Sequence, residues 1–193
     1  MPLGLFSFLK GGTFLALRLL CPNKFVNSLA EINLPLLQAQ GVKALIVDID
    51  NTLVAWDKAE IESANRAWIE KAKRLGFSLC IVSNGKEKRV QGLARELGIP
   101  GLANAIKPRK RGFLRALELM NVRPEETAIV GDQLFTDILG GNRSGVYTIW
   151  VTPLSDQELP TTKLMRKLER RVARNLVKKG WLVTGSNRSE VQG

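Results

Sequence analysis

Residues Ala44 to Val54 read "ALIVDIDNTLV". Four apolar residues predict a buried strand, and Asp48 and Asp50 stand where that strand gives way to a loop. A spacing of two puts both carboxylates on the same face of an extended chain. Like charges so close repel unless something cationic sits between them. The rest of the chain has to supply that cation or hold it.

From Val42 onward, strand-like and helix-like stretches alternate. "KALIVDI" reads as a strand, 59–75 as a helix stopped by Gly76, and "FSLCIVS" as a second strand. A helix over 87–97 follows, closed by Gly98 and Pro100, then a weaker strand at "LANAI" (102–106). A helix over 109–120, the strand "TAIVGD", the helix and exit "QLFTDILGGNRSG" and the strand "VYTIWV" complete the series. Strands this apolar, joined by helices, predict an α/β fold with a central parallel sheet covered on both faces. Functional residues in such sheets collect at the carboxyl ends of the strands.

Those ends carry Asp48, Asp50 and Thr52 after the first strand, and Ser83, Asn84 and Gly85 after the second. Lys107 and Pro108 follow the third, and Gly131, Asp132 and later Asp137 follow the fourth. Taken singly each is weak: a Ser after a strand is more often a helix cap than a ligand. Their joint occurrence, in order and each at a strand end, predicts a site. Several carboxylates gathered there call for a divalent cation, and an all-oxygen shell favours Mg²⁺. Asn84 and Gly85, opening a helix, offer backbone N–H groups to an anion.

Composition narrows the chemistry. With no His in the chain, a His-based triad and a His metal site are both excluded. Two cysteines, Cys21 and Cys80, have neither zinc spacing nor a disulfide framework. The 193 residues carry 29 Lys and Arg against 18 Asp and Glu, a net +11 that predicts an anionic partner. Residues 161–181 hold +7 of this. Lys163, Arg166, Lys167, Arg170, Arg171 and Arg174 alternate there with Leu164, Leu168, Val172 and Leu176, the pattern of a basic amphipathic helix. Such a helix lies on anionic lipid, docks on a partner or follows a nucleic-acid backbone; the plain reading is a helix packed on its own domain. The Leu- and Phe-rich start of the chain is interrupted by Lys10 and Arg18, far short of the ~20 apolar residues a membrane span needs. It reads as an interfacial helix, with a core-completing helix as its rival. With no acidic residue before Glu31, an organellar transit segment also fits.

"DIDNTL", "VSN", "KP" and "GDQLFTD" resemble, in order, the four motifs of the haloacid dehalogenase-like (HAD) phosphatases, over about 42–151. Asn51 stands where that first motif more usually has glycine. The resemblance implies a three-layer Rossmann-like core with Asp48 as nucleophile and Asp50 as general acid and base. It implies that Ser83, Asn84 and Lys107 hold the phosphoryl group. Mg²⁺ would be ligated by Asp48, the Asp50 main-chain carbonyl and Asp132, with Thr52 and Asp137 in support. Only about thirty residues separate Asp50 from Ser83, and fewer separate Ser83 from Lys107, so no cap domain fits and the site should lie open. Arg109, Lys110 and Arg111 oppose the dipole of the helix they open, which favours an anion-binding rim over a merely solvated helix start.

"CPN" at 21–23 and "DIDNTLVAWD" narrow the resemblance to compact "DxDNTL" proteins that include phosphatidylglycerophosphate phosphatases. That branch implies a phosphorylated lipid substrate and a peripheral position on an anionic phospholipid membrane, in the cytoplasm or on an organelle's inner face. Arg109, Lys110, Arg111, Arg166, Lys167, Arg170, Arg171 and Arg174 are the expected surface contacts. Two alternatives stand beside it: a HAD phosphatase acting on nucleic-acid ends or a soluble metabolite, and a non-enzymatic module binding membrane or RNA. The single Tyr147 and the lack of aromatic–basic interleaving weigh against nucleic acid. The expected organisation is an amphipathic arm (1–40), a phosphatase core (41–155), a basic amphipathic helix (156–182) and a disordered tail (183–193).

Overall fold

The computed structural model describes residues 17–58, 60–155 and 160–182, with only the main chain of 160–163. Expectations for 1–16 and for the tail at 183–193 fall outside the described residues. Among the described residues there are six strands: β1 (Lys24–Val26), β2 (Ala44–Val47), β3 (Ser78–Val82), β4 (Gly101–Leu102), β5 (Thr127–Gly131) and β6 (Tyr147–Val151). The helices are α1 (Leu34–Ala39), α2 (Ser63–Arg74), α3 (Glu87–Leu97), α4 (Lys110–Met120), α5 (Leu139–Ser144) and α6 (Pro160–Lys178). A π-helical turn at Leu134–Ile138 leads directly into α5.

All pairings are parallel, in the order β1-β6-β5-β2-β3-β4. The chain winds from β2 out to β4, then returns to lay β5 on the other side of β2. Val47 is therefore in register with both Ile81 and Val130. That reversal opens a crevice at the carboxyl end of β2, where Asp48 and Asp50 lie.

Strand residues alternate between two apolar layers. Leu45, Val47, Ile81 and Val130 pack with Trp68 and Ile69 of α2 and Val90 and Leu97 of α3. Ile46, Cys80, Val82 and Ile129 pack with Phe113, Ala116 and Leu117 of α4. Burial on both faces explains why the strands read as continuous apolar runs.

Two expectations change here. The strand at 102–106 shrinks to Gly101–Leu102, because Ala105 N–H donates to Ser83 O and Asn104 N–H to Gly85 O, drawing the chain into a loop over the end of β3. Of the arm expected at 1–40, the described part from residue 17 packs on the core rather than standing apart: β1 extends the sheet, and Leu29, Ile32, Leu34 and Leu37 are buried in the α2–α3 layer. A polar knot fixes "CPN" in place. Thr148 donates from its N–H and hydroxyl to Asn23 Oδ1 at 2.8 and 2.9 Å, and Asn142 Nδ2 donates to Cys21 O at 2.9 Å. A strand of three residues carries too little apolar periodicity to announce β1 in the sequence.

Among the described residues, no helix is long and apolar enough to cross a membrane. Leu29→Ala should lower stability by about 2–5 kcal/mol in urea unfolding, as removal of a core side chain does. An unchanged midpoint would mean that 21–40 is peripheral.

Candidate active site

Asp48 continues β2, its N–H donating to Val130 O at 3.0 Å. Beyond it the chain must turn sharply. Asn51 does this at φ 60°, a left-handed conformation that Asn tolerates better than most side chains, which accounts for Asn where glycine is more usual. Its Oδ1 accepts from Trp56 N–H at 2.9 Å, tying the loop back on itself.

Three carboxylates, Asp48, Asp132 and Asp137, come together with ligand oxygens within 4.8 Å of one another, all buried. Asp137 reaches this point from the π-helical turn, where its Oδ2 accepts from Gln133 N–H at 3.1 Å. Its side chain lies so close over Gly131 that a Cβ there would fall 2.4 Å from Asp137 Cγ. Only glycine admits this approach. Lys107 Nζ, likewise buried, donates to Asp48 Oδ1 at 2.5 Å and Asp137 Oδ1 at 2.6 Å. Its main chain is gripped by Asn84, whose Oδ1 accepts from Lys107 N–H at 2.7 Å and whose Nδ2 donates to Lys107 O at 3.3 Å. Thr52 Oγ1 donates to Asp132 Oδ1 at 3.3 Å. Ser83, 1% exposed, accepts from Gly85 N–H at 2.9 Å.

Burial dominates the electrostatics. It pushes Asp48 up to about 7, against the pull of Lys107 and with that of Asp137. Burial also raises Asp132 well above the carboxylate range, with Arg166 opposing. For Lys107, burial works against the charge, but the Asp137 and Asp48 carboxylates outweigh it and hold the ammonium protonated. A site that strains to keep its carboxylates ionised fits a hard divalent cation, whose charge would bring them down. Asp48, Asp132 and Asp137 are the residues placed to hold it. The Asp50 carboxylate faces elsewhere: Arg89 Nε donates to its Oδ1 at 3.2 Å, with Nη2 3.0 Å away. Asp50 lines a cavity of about 500 Å³ with Trp56, Asn84, Lys86, Arg89 and Gln133, and this is the open mouth of the site.

Helix α6 holds the main correction. Arg166, expected on an anionic surface, is 8% exposed and enters the site. Its Nη1 donates to Asp132 O at 2.6 Å and to Glu169 Oε2 at 3.1 Å, while Nη2 donates to the Asp132 carboxylate. Glu169, the one acidic residue among the helix's cations, is also buried and accepts from Phe135 N–H at 3.1 Å. Its burial raises its pKa, with Arg166 opposing. The inward face of α6 is thus Arg166 and Glu169 in its first half and Leu176 in its second, whereas Leu164, Met165 and Leu168 are exposed. A lone Glu set among cations, between Arg166–Lys167 and Arg170–Arg171, carries no sequence signal that it faces inward. Arg89 was missed for the same reason, as one cation on an ordinary helix. Lys167, Arg170, Arg171 and Arg174 remain exposed, as do Arg109, Lys110 and Arg111 at the start of α4.

Comparison with known proteins agrees with this geometry. The family model described as mitochondrial PGP phosphatase matches residues 12–154. A probable phosphatase, YqeG, of Bacillus subtilis (strain 168) is 40% identical over 159 residues, 82% of this chain and 92% of that protein. Phosphatidylglycerophosphate phosphatase 1, chloroplastic/mitochondrial, of Arabidopsis thaliana is 31% identical over 170 residues, 82% of this chain but 49% of that protein. The chain therefore spans about half the length of that plant relative. A HAD-superfamily hydrolase from Ehrlichia chaffeensis superposes with a TM-score of 0.50 at 14% identity, over 70% of this chain and 98% of its own. At that identity the likeness shows the fold alone.

Two outcomes test the site. Mg²⁺ at a hundred times its Kd should stabilise the chain by about 2.7 kcal/mol, read as a rise in Tm; Asp132→Asn should abolish the rise. Arg166→Met, which strands Asp132 and Glu169 without their partner, should cost the metal-free chain about 3 kcal/mol in chemical unfolding.

Proposed function

We propose that this chain, which belongs to the family described as mitochondrial PGP phosphatase, hydrolyses phosphatidylglycerophosphate to phosphatidylglycerol and inorganic phosphate at a membrane surface. It is a phosphomonoester hydrolase of HAD type. The observation that carries the lipid reading is the position of α6. The helix that sends Arg166 to Asp132 also presents Leu164, Met165 and Leu168 to solvent among Lys167, Arg170 and Arg171. An apolar and cationic face beside an uncapped site suits a substrate held in an anionic bilayer, whose headgroup reaches the carboxylates while its tails stay in lipid. Arg109, Lys110 and Arg111 add positive charge near Lys107.

The chemistry follows from the carboxylates. An Asp48 oxygen attacks phosphorus as the bond to the glycerol oxygen breaks, giving an aspartyl-phosphate. Asp50, at the mouth with Arg89, delivers the proton that the leaving oxygen needs, then takes one from the water that attacks the intermediate and frees Asp48. Lys107 is already in contact with Asp48 and balances charge on the transferring group, with Ser83 and Asn84 at the end of the adjacent strand β3. A Mg²⁺ ion held by Asp48, Asp132 and Asp137 would neutralise the phosphate and align it.

The test is phosphate release from phosphatidylglycerophosphate in mixed micelles with Mg²⁺, run beside sugar phosphates and 5′- or 3′-phosphorylated oligonucleotides. Selective release from the lipid is expected, abolished in Asp48→Asn and reduced roughly 10²- to 10⁴-fold in Asp50→Asn. Release from a soluble phosphate or an oligonucleotide but not from the lipid would overturn the substrate assignment and leave the phosphatase.

A further inference from the structure

Helix α6 and the strand pair β1–β6 enclose a groove of about 930 Å³ that takes no part in the chemistry above. Phe25 and Trp150 form its floor, their ring centroids 5.0 Å apart and tilted by 53°, and Ala173 and Val177 of α6 form its apolar wall. Lys167, Arg170, Arg174 and Lys178 line the same groove. They recur every three or four residues along one side of the helix, a row roughly 16 Å long at the helical rise. Among the described residues, none of the four pairs with a carboxylate. An apolar trough beside a row of unneutralised cations is complementary to one kind of ligand, an anionic amphiphile.

We propose that this groove is a binding site for an anionic phospholipid of the bilayer, with its acyl chain along Phe25, Trp150 and Val177 and its phosphate among Lys167, Arg170 and Arg174. Its size is that of a small-molecule site. The exposed Leu164 and Leu168 lie across the cation row from Ala173 and Val177, a second apolar strip on the outer side of α6 that can meet the bilayer while the groove holds the lipid. Nucleic acid fits less well: the two rings are tilted against each other and offer no parallel faces for successive bases. The groove and the active site share a wall, since Trp150 Nε1 donates to Asp132 O at 2.8 Å and the same oxygen accepts from Arg166. A lipid seated here holds α6, and the loop that α6 braces, against the membrane. The proposal goes beyond the substrate assignment and does not depend on which phosphomonoester is hydrolysed.

The experiment is co-sedimentation of the full chain with vesicles of equal parts phosphatidylglycerol and phosphatidylcholine, and with phosphatidylcholine alone. The groove variant is Lys167→Gln/Arg170→Gln/Arg174→Gln; the control, Lys71→Gln/Arg74→Gln/Lys88→Gln, removes the same charge from α2 and α3. At the usual contribution of a basic side chain near an anionic surface, the groove variant should lose about a hundredfold in partitioning and the control less than about threefold. A third variant, Ala173→Glu, keeps every cation and places an acid in the trough; it should lose about tenfold or more. Hydrolysis of soluble p-nitrophenyl phosphate, followed in the same samples, should stay within about twofold, showing that the variants fold. Equal losses in the groove and control variants, or undiminished binding by the groove variant or by Ala173→Glu, would overturn the proposal. So would binding of a 20-nucleotide single-stranded RNA, but not of the vesicles, lost in the same groove variant. A failure of lipid hydrolysis with vesicle binding intact would strike the substrate assignment alone.

Discussion

Lys107 lies between two buried carboxylates, and most of the structure serves to keep it there. A lone ammonium or a lone carboxylate is expelled from a protein interior, because the desolvation cost runs to several kcal/mol per ion. Here an ammonium contacts Asp48 and Asp137 at 2.5 and 2.6 Å, with each side chain less than a tenth exposed. The cluster remains rich in negative charge, since Asp132 joins the same carboxylate group and is met by Arg166 from another element. That imbalance makes the site useful: its groups are held ready for a divalent cation and a phosphate rather than for one another.

Topology brings the members together. Asp48 and Asp132 follow adjacent strands, β2 and β5, because the chain reverses its direction of winding between them. Lys107 arrives from the loop after β4, with its main chain clamped by Asn84 from the end of β3. Asp137 requires an irregularity. The π-helical turn at 134–138 aims its carboxylate back over Gly131, an approach that a regular helix start and any larger residue would disrupt.

Much of this was legible in the sequence because the strands are buried on both faces and read as unbroken apolar runs, each ending in a polar residue that has no packing role. Asp48, Ser83 and Asp132 are visible on that ground; Lys107, five residues past the half-buried β4, is visible only from its place in the ordered series of loops. What escaped notice depended on tertiary contact. Arg166 and Glu169 sit in a helix whose charge pattern describes a solvated or membrane-facing surface, and only docking against Asp132 and Phe135 turns them inward. β1, three residues long, is held by hydrogen bonds to Asn23 and by pairing with β6, neither of which leaves a periodic trace. Asn51 stands where glycine is more usual, and its positive φ shows the conformational demand that both residues meet.

The central claim is that the Asp48 carboxylate, buried beside Lys107, takes the phosphoryl group covalently. Acid-quenching the chain during turnover of a ³²P-labelled phosphomonoester, then digesting it and sequencing the labelled peptide, tests this directly. Label on Asp48, labile to hydroxylamine as an acyl phosphate is and lost in Asp48→Asn, is the predicted result. Turnover that persists in Asp48→Asn, or label on any other residue, would contradict the account.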